Sequence, residues 1–272
     1  MTLATIEACF ARAARESRPV LVAYLPVGFP SVEESLRCAR AALEAGADLL
    51  ELGVPFSDPS ADGPVIAKAS YEAIAAGGSL RQALEVARQL RTERTEPIVL
   101  FSYYNPVVAF GEDRLPRAMA EAGVDGILVV DLPPDEGEAF RLAARAEQLA
   151  VVPLLAPTSG PEREQAILKN ASGFIYYVSV TGVTGSAAAP LEQAGRHAAE
   201  LTARSGLPVV VGFGIDTVDK ARQVAAAGAP GLVVGTALVR AIGDARGESP
   251  AAAVARLVAE LRQGVSGALP AR

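Results

Sequence analysis

The sequence predicts an α/β protein, a single-domain (β/α)8 barrel of the TIM type spanning residues 1–272 with an extra N-terminal helix. Three observations carry this. Short apolar runs of strand length alternate with helical patterns along the whole chain, eight times over. The runs are apolar throughout, so both faces of each strand are buried, as in a parallel sheet covered by helices. Three returns from helix to strand use nearly one phrase: Glu-Ala-Gly-Ala-Asp at 44–48, Glu-Ala-Gly-Val-Asp at 121–125 and Ala-Ala-Gly-Ala-Pro at 226–230. Glycine there suits the left-handed residue that closes a helix. Doubly wound sheets share the alternation, but eight repeats without a dinucleotide fingerprint favour the closed barrel.

In order, Leu3, Ile6, Phe10 and Ala13 space out an amphipathic helix over 3–16. Val20 to Leu25 is the first strand. Ser31 caps a helix to Ala45, with Glu34 completing a capping box. Asp48 to Gly53 is the second strand, and its loop is broken by Pro55, Pro59 and Pro64. Helices follow from Pro64 to Ala76 and from Ser79 to about Arg91, split by Gly77-Gly78. The third strand, Pro97 to Ser102, leads into a Tyr103-Tyr104-Asn105-Pro106 loop and a helix from Asp113 to Ala122. Strand Gly126–Asp131, helix Asp135–Leu149, strand Val151–Leu155 and helix Pro161–Asn170 continue the alternation. Strand Gly173–Val178, helix Pro190–Ser205 and strand Pro208–Phe213 come next. Asp216 caps a helix to Ala227, Gly231–Val234 is the eighth strand, and a helix over Pro250–Arg262 ends the pattern.

Composition narrows the function. The net charge of -6 argues against nucleic-acid binding, which needs a basic footprint. No apolar run reaches the roughly 18 residues that span a membrane, and the N-terminus, with Glu7 and no cationic flank before an apolar block, does not read as a signal peptide. Cys9 and Cys38 are too few for a disulfide framework and suit a reducing cytoplasm. Only Lys68, Lys169 and Lys220 are available for Schiff-base chemistry, and the one histidine, His197, sits on a polar, Ala-rich helix and reads as solvent-exposed. Acid–base work falls to carboxylates.

Among those, Glu51 stands out. Alternation through Leu49, Glu51 and Gly53 puts it on the barrel interior, where burial raises a carboxyl pKa towards neutrality. Asp58 and Asp62 lie in the following loop, where aspartate commonly caps turns. Asp131 ends the fourth strand and reads equally as a loop brace. Tyr24, Phe101, Tyr103, Tyr104 and Tyr176 lie at strand ends, placed either to wall an aromatic ligand or to pack the rim. Three glycine-rich turns follow late strands: Gly182-Val183-Thr184-Gly185, Gly212-Phe213-Gly214-Ile215 and Gly235-Thr236. Each alone is a tight turn. Together, in the loops where barrels cradle phosphate, they point to a phosphate-bearing substrate.

The stretch Leu-Glu-Leu-Gly-Val-Pro-Phe-Ser-Asp-Pro-Ser-Ala-Asp-Gly-Pro at 50–64, with Gly-Val-Thr-Gly and Gly-Phe-Gly-Ile downstream, resembles the tryptophan synthase α subunit family over essentially the whole chain. The resemblance implies retro-aldol cleavage of indole-3-glycerol phosphate to indole and glyceraldehyde 3-phosphate. It assigns Glu51 as general acid–base and Asp62 as second catalytic carboxylate. It places Tyr176 beside the substrate, Gly185, Gly214, Gly235 and Thr236 around its phosphate, and Thr184 on a closing loop. Tyr24, Phe101 and Phe213 complete the expected substrate-contacting set. It also implies a cytoplasmic α2β2 complex, in which the loops around Asp58-Pro59 and Asn105-Pro106 face a β subunit carrying pyridoxal phosphate. This chain itself is expected to need no metal or cofactor. A free-standing indole-3-glycerol phosphate lyase is the alternative, and a non-catalytic phosphate-binding barrel is the reading from another class. Phe29, Phe101 and Val180-Thr181 depart from the family pattern.

Overall fold

Parallel strand pairing carries the chain around one continuous sheet in the computed structural model, which describes residues 3–178, 191–212 and 214–269. The strands are β1 (Val20–Pro26), β2 (Leu49–Gly53), β3 (Ile98–Ser102), β4 (Gly126–Val129), β5 (Ala150–Val152), β6 (Leu154–Leu155), β7 (Ile175–Val178), β8 (Val209–Gly212) and β9 (Gly231–Val234). Their order is β5-β4-β3-β2-β1-β9-β8-β7-β6. The expected fifth strand is therefore two segments, because Pro153 has no N–H to donate to a ladder. Its lower half pairs with β4 and its upper half with β7. The Pro153 carbonyl still accepts from the Tyr176 N–H at 2.9 Å. The backbone through Pro153 thus joins the two ends of the sheet.

The helices are α1 (Leu3–Arg15), α2 (Val32–Glu44), α3 (Pro64–Ala75), α4 (Leu80–Arg91), α5 (Tyr104–Phe110), α6 (Leu115–Glu121), α7 (Glu138–Ala146), α8 (Pro161–Lys169), α9 (Leu191–Ser205), α10 (Val218–Ala226), α11 (Thr236–Gly243) and α12 (Pro250–Val265). Gly46, Gly123 and Gly228 of the repeated phrase take φ of +105°, +76° and +97°, the left-handed turn expected of them. Val20, Val22, Leu50, Leu100, Ile127, Val210 and Leu232 are among the residues sealed in the hydrophobic core. Among the described residues no helix is long and apolar enough to cross a membrane.

Several local expectations change. The Tyr103–Pro106 loop is only Tyr103 long, since Tyr104, Asn105 and Pro106 open α5. Proline is tolerated in a first turn, where its N–H would have no helical partner. The Tyr104 N–H is accepted instead by the Asp131 carboxylate at 2.7 Å, so Asp131 braces a loop. Thr217 rather than Asp216 caps α10, its hydroxyl accepting from the Lys220 N–H at 3.3 Å, while Asp216 binds Lys220 Nζ at 2.6 Å. The Ser31 capping box is half formed. Ser31 accepts from the Glu34 N–H at 3.1 Å, but the Glu34 carboxylate turns to Arg37 at 2.8 Å. His197 is half-buried against the Tyr177 ring, with centroids 4.9 Å apart. Helix α11 follows β9 directly, and the sequence pattern had passed over it.

The amino-terminal rim is held by charge. Asp48, which precedes β2, is buried and receives Arg18 Nη1 at 2.7 Å, Arg262 Nη1 at 2.9 Å, Arg12 Nη2 at 3.4 Å and the Leu21 N–H at 3.0 Å. This one carboxylate ties α1, β1 and α12 together, leaving the opposite rim for the loops that build the site.

Candidate active site

The carboxyl ends of the strands surround a cavity lined by Tyr24, Asp62, Ile66, Phe101, Tyr176, Gly214, Ile215, Asp216, Val233, Gly235, Thr236 and Arg240. The cavity collects six of the residues named from the sequence for substrate contact (Tyr24, Phe101, Tyr176, Gly214, Gly235 and Thr236) and one of the two acids. Thr184, Gly185 and Phe213 lie outside the described residues.

Register explains how the pieces meet. Tyr24 on β1 pairs with Glu51 on β2, and Glu51 pairs with Val99 on β3. Two residues on, Gly53 pairs with Phe101, one layer nearer the rim on the same face. The Tyr24 ring leans across into that upper layer. A Cβ on Gly53 would stand 2.5 Å from the Tyr24 hydroxyl, so only glycine leaves room for the ring. Across the barrel the same device recurs, with Tyr176 covering Gly212, where a Cβ would stand 2.4 Å from the ring. Phe101 lies between the two tyrosines. It meets Tyr24 edge-on at 5.3 Å between centroids and Tyr176 tilted at 6.3 Å, an arrangement that suits aromatic quadrupoles. A flat aromatic ligand finds three ring walls here.

Glu51 is fully buried at the level beneath these rings, and neither of its carboxyl oxygens has a hydrogen-bond partner among the described residues. Desolvation alone pushes its pKa from 4.5 up to about 8, because an ion in low dielectric loses its hydration without compensation. A carboxyl kept protonated near neutrality and left unpaired is costly to the fold, and such groups concentrate at functional sites. Asp62, half-buried in the loop after β2, has its pKa raised to about 6 by burial, with the Tyr103 hydroxyl pulling it back down. That hydroxyl donates to Asp62 Oδ2 at 3.1 Å and accepts from the Ala61 N–H at 3.0 Å. Two carboxyls one loop apart are thereby set about two pH units apart, with the more acidic one on the loop.

The other end of the cavity has no buried acid. Gly235 and Thr236 begin α11, whose first N–H groups have no partner within the helix and carry the positive end of its dipole. Gly214 precedes α10. The Asp216 carboxylate beside them is neutralised by Lys220. Arg240 of α11 is exposed at the cavity wall. This end offers partial positive charge, and among the described residues no lysine lines the cavity.

The residues expected to face a partner fall outside the cavity. Asp58 is exposed and accepts from the Ser57 hydroxyl at 2.6 Å. Asn105 is exposed and Pro106 half-buried at the start of α5. Pro59 is buried, so it supports that loop's shape and is not surface in the isolated chain. Ile66, Ile215, Asp216, Val233 and Arg240 were not foreseen as lining. The signal for two of them was present: Ala237, Leu238 and Ile242 are spaced as the buried face of a helix that would carry Arg240, and the Gly231–Val234 strand contains Val233.

Known proteins share this fold. The family model described as tryptophan synthase alpha chain matches residues 10–266. The structure of tryptophan synthase subunit alpha from Legionella pneumophila superposes with a TM-score of 0.88 at 34% identity, covering 97% of this chain and 98% of that one. An Aquifex aeolicus protein gives 0.87 at 37% identity over 97% and 99%. Tryptophan synthase from Mycobacterium tuberculosis gives 0.85 at 34% over 96% and 98%. The likeness runs end to end; the chain belongs to the tryptophan synthase alpha chain family, enzymes of tryptophan biosynthesis.

Proposed function

We propose that this chain, as a single barrel domain, cleaves indole-3-glycerol phosphate by a retro-aldol reaction into indole and glyceraldehyde 3-phosphate. The observation that carries the reading is Glu51, a fully buried carboxyl in the middle of β2, beneath three aromatic rings and with no hydrogen-bond partner among the described residues. With its pKa near 8, Glu51 holds a proton at neutral pH and delivers it to indole C3, giving an indoleninium whose positive charge spreads to the ring nitrogen. Asp62, with a pKa near 6, is charged at the same pH and stabilises that nitrogen through its N–H. The Glu51 carboxylate then removes the proton of the hydroxyl on the adjacent glycerol carbon. As the O–H electrons form the aldehyde, the C–C bond breaks and its pair returns to the ring, restoring neutral indole. Glu51 ends the cycle protonated. General acid–base groups of this kind contribute on the order of 10²- to 10⁴-fold.

Gly214, Gly235 and Thr236 hold the phosphate on backbone N–H groups and the Thr236 hydroxyl, with Thr184 and Gly185 completing that side. Tyr24, Phe101, Tyr176 and Phe213 wall the indole. The chain works in the cytoplasm as the α component of an α2β2 complex. Asp58, Pro59, Asn105 and Pro106 belong to its partner-facing loops. The chain has no cofactor of its own, and the β subunit carries pyridoxal phosphate and consumes the indole. Indole release from indole-3-glycerol phosphate is the test. The wild-type chain with a β subunit is expected to turn over, and Glu51→Gln to lose at least about 100-fold in kcat; undiminished kcat in the variant would refute the assignment.

A further inference from the structure

Tyr24 carries a hydroxyl that neither the aromatic wall nor the fold uses. Its ring already packs edge-on against Phe101 and lies 3.3 Å from where a Cβ on Gly235 would stand. A phenylalanine would make the same contacts. The hydroxyl makes no hydrogen bond to any described residue, and its oxygen is not among the buried polar atoms left unpaired; it belongs to the cavity wall. Space has been cleared for it. The atom nearest to the missing Gly53 side chain is the Tyr24 hydroxyl oxygen, at 2.5 Å. It therefore occupies the layer directly above Glu51, on the face that opens to the cavity. Both acids, Asp62 and Glu51, lie near enough to act on the phenol electrostatically.

We infer that the Tyr24 hydroxyl touches the substrate, donating a hydrogen bond to the glycerol oxygen that becomes the aldehyde oxygen. The inference rests on the retro-aldol reading. In that reaction the oxygen gives its proton to Glu51, and negative charge builds on it before the C–C bond yields. Glu51 on the layer below takes the proton, while a donor on the layer above meets the growing charge. Burial holds the phenol proton on well above its usual range, so the group acts as a donor and is no competing base. A preorganised donor aimed at a developing oxyanion acts mainly on the transition state, which places its effect in kcat and not in ground-state binding.

Tyr24→Phe tests this, since it removes one oxygen and keeps the ring. The assay is indole release from indole-3-glycerol phosphate by the full chain with its β subunit, paired with binding of indole-3-propanol phosphate, which has the ring and the phosphate but no hydroxyl. The expected result is a fall in kcat of about 100-fold with unchanged affinity for the hydroxyl-free ligand. Wild-type-like kcat in the variant overturns the role of Tyr24 and leaves the retro-aldol reading standing. A loss of affinity for the hydroxyl-free ligand that matches the loss in kcat also overturns it, because the oxygen would then serve the pocket's shape. A wild-type chain that releases no indole removes the reaction itself, and the inference with it.

Discussion

Glu51 makes a prediction about stability that is independent of turnover. Its carboxyl titrates near 8 in the fold against an ordinary value of 4.5. A raised folded pKa means that between those values the native state holds a proton which the unfolded chain has released. Stability contributed by the protonated form is thus complete below about pH 4.5 and is lost as pH rises to about 8, beyond which the loss is constant. Each pH unit inside that window removes about 1.4 kcal/mol, so raising the pH from 5 to 8.5 costs the wild type about 4 kcal/mol through this one group. Glu51→Gln keeps the shape and cannot titrate. Its buried amide adds an offset that does not vary with pH. Asp62 titrates in both proteins and cancels in their difference. Denaturant unfolding of both at pH 5 and pH 8.5 measures the change. The gap between variant and wild type is expected to move by about 4 kcal/mol in favour of the variant at the higher pH. A gap that moves by less than about 1 kcal/mol would mean that Glu51 is hydrated or paired in solution, and the argument from desolvation would fail.

Other consequences are open to simpler tests. Tyr103→Phe removes the hydroxyl that donates to Asp62 and favours its charged form. The acid limb of the kcat/KM profile is expected to move upward from about pH 6, and an unmoved limb would show that Asp62 is not the group titrating there. Asp48→Ala takes the carboxylate from the Arg262 guanidinium and the Leu21 N–H and leaves Arg18 with Glu16 alone among carboxylates at the amino-terminal rim. Breaking a buried pair of this kind costs about 3 to 5 kcal/mol, read as a lower denaturation midpoint with kcat unchanged, because the site lies at the opposite rim.

Much of the fold is legible locally. Apolar runs, glycine stops and the repeated Glu-Ala-Gly phrase mark most elements to within a residue or two, since strand and helix periodicity are properties of neighbouring residues. The misses are positions where tertiary contacts chose between local options. Tyr104-Asn105-Pro106 reads as a loop until Asp131, on another strand's end, accepts the first N–H of α5. Asp216 is a good cap by type, but Lys220 takes its carboxylate and leaves Thr217 to cap. The eight-residue α11 hides in the short distance between a strand and the turn at Gly243 to Gly247.

Sequence alone determined that Glu51 faces the barrel interior, because alternation along a strand fixes which side a residue takes. It also determined that glycines gather at the last loops and that a motif of high specificity joins Glu51 to Asp62. Only the tertiary structure decided that Glu51 has no partner among the described residues, that Tyr103 serves Asp62 and that Asp58 stands apart on the surface. Those outcomes depend on what other strands bring across the barrel. The clearest case is Tyr24: in the sequence it is one aromatic at a strand end, and its hydroxyl acquires a place only because Gly53, on the neighbouring strand, leaves one. Which groups a side chain meets across a barrel is set by strand register and curvature, and no stretch of the chain contains that by itself.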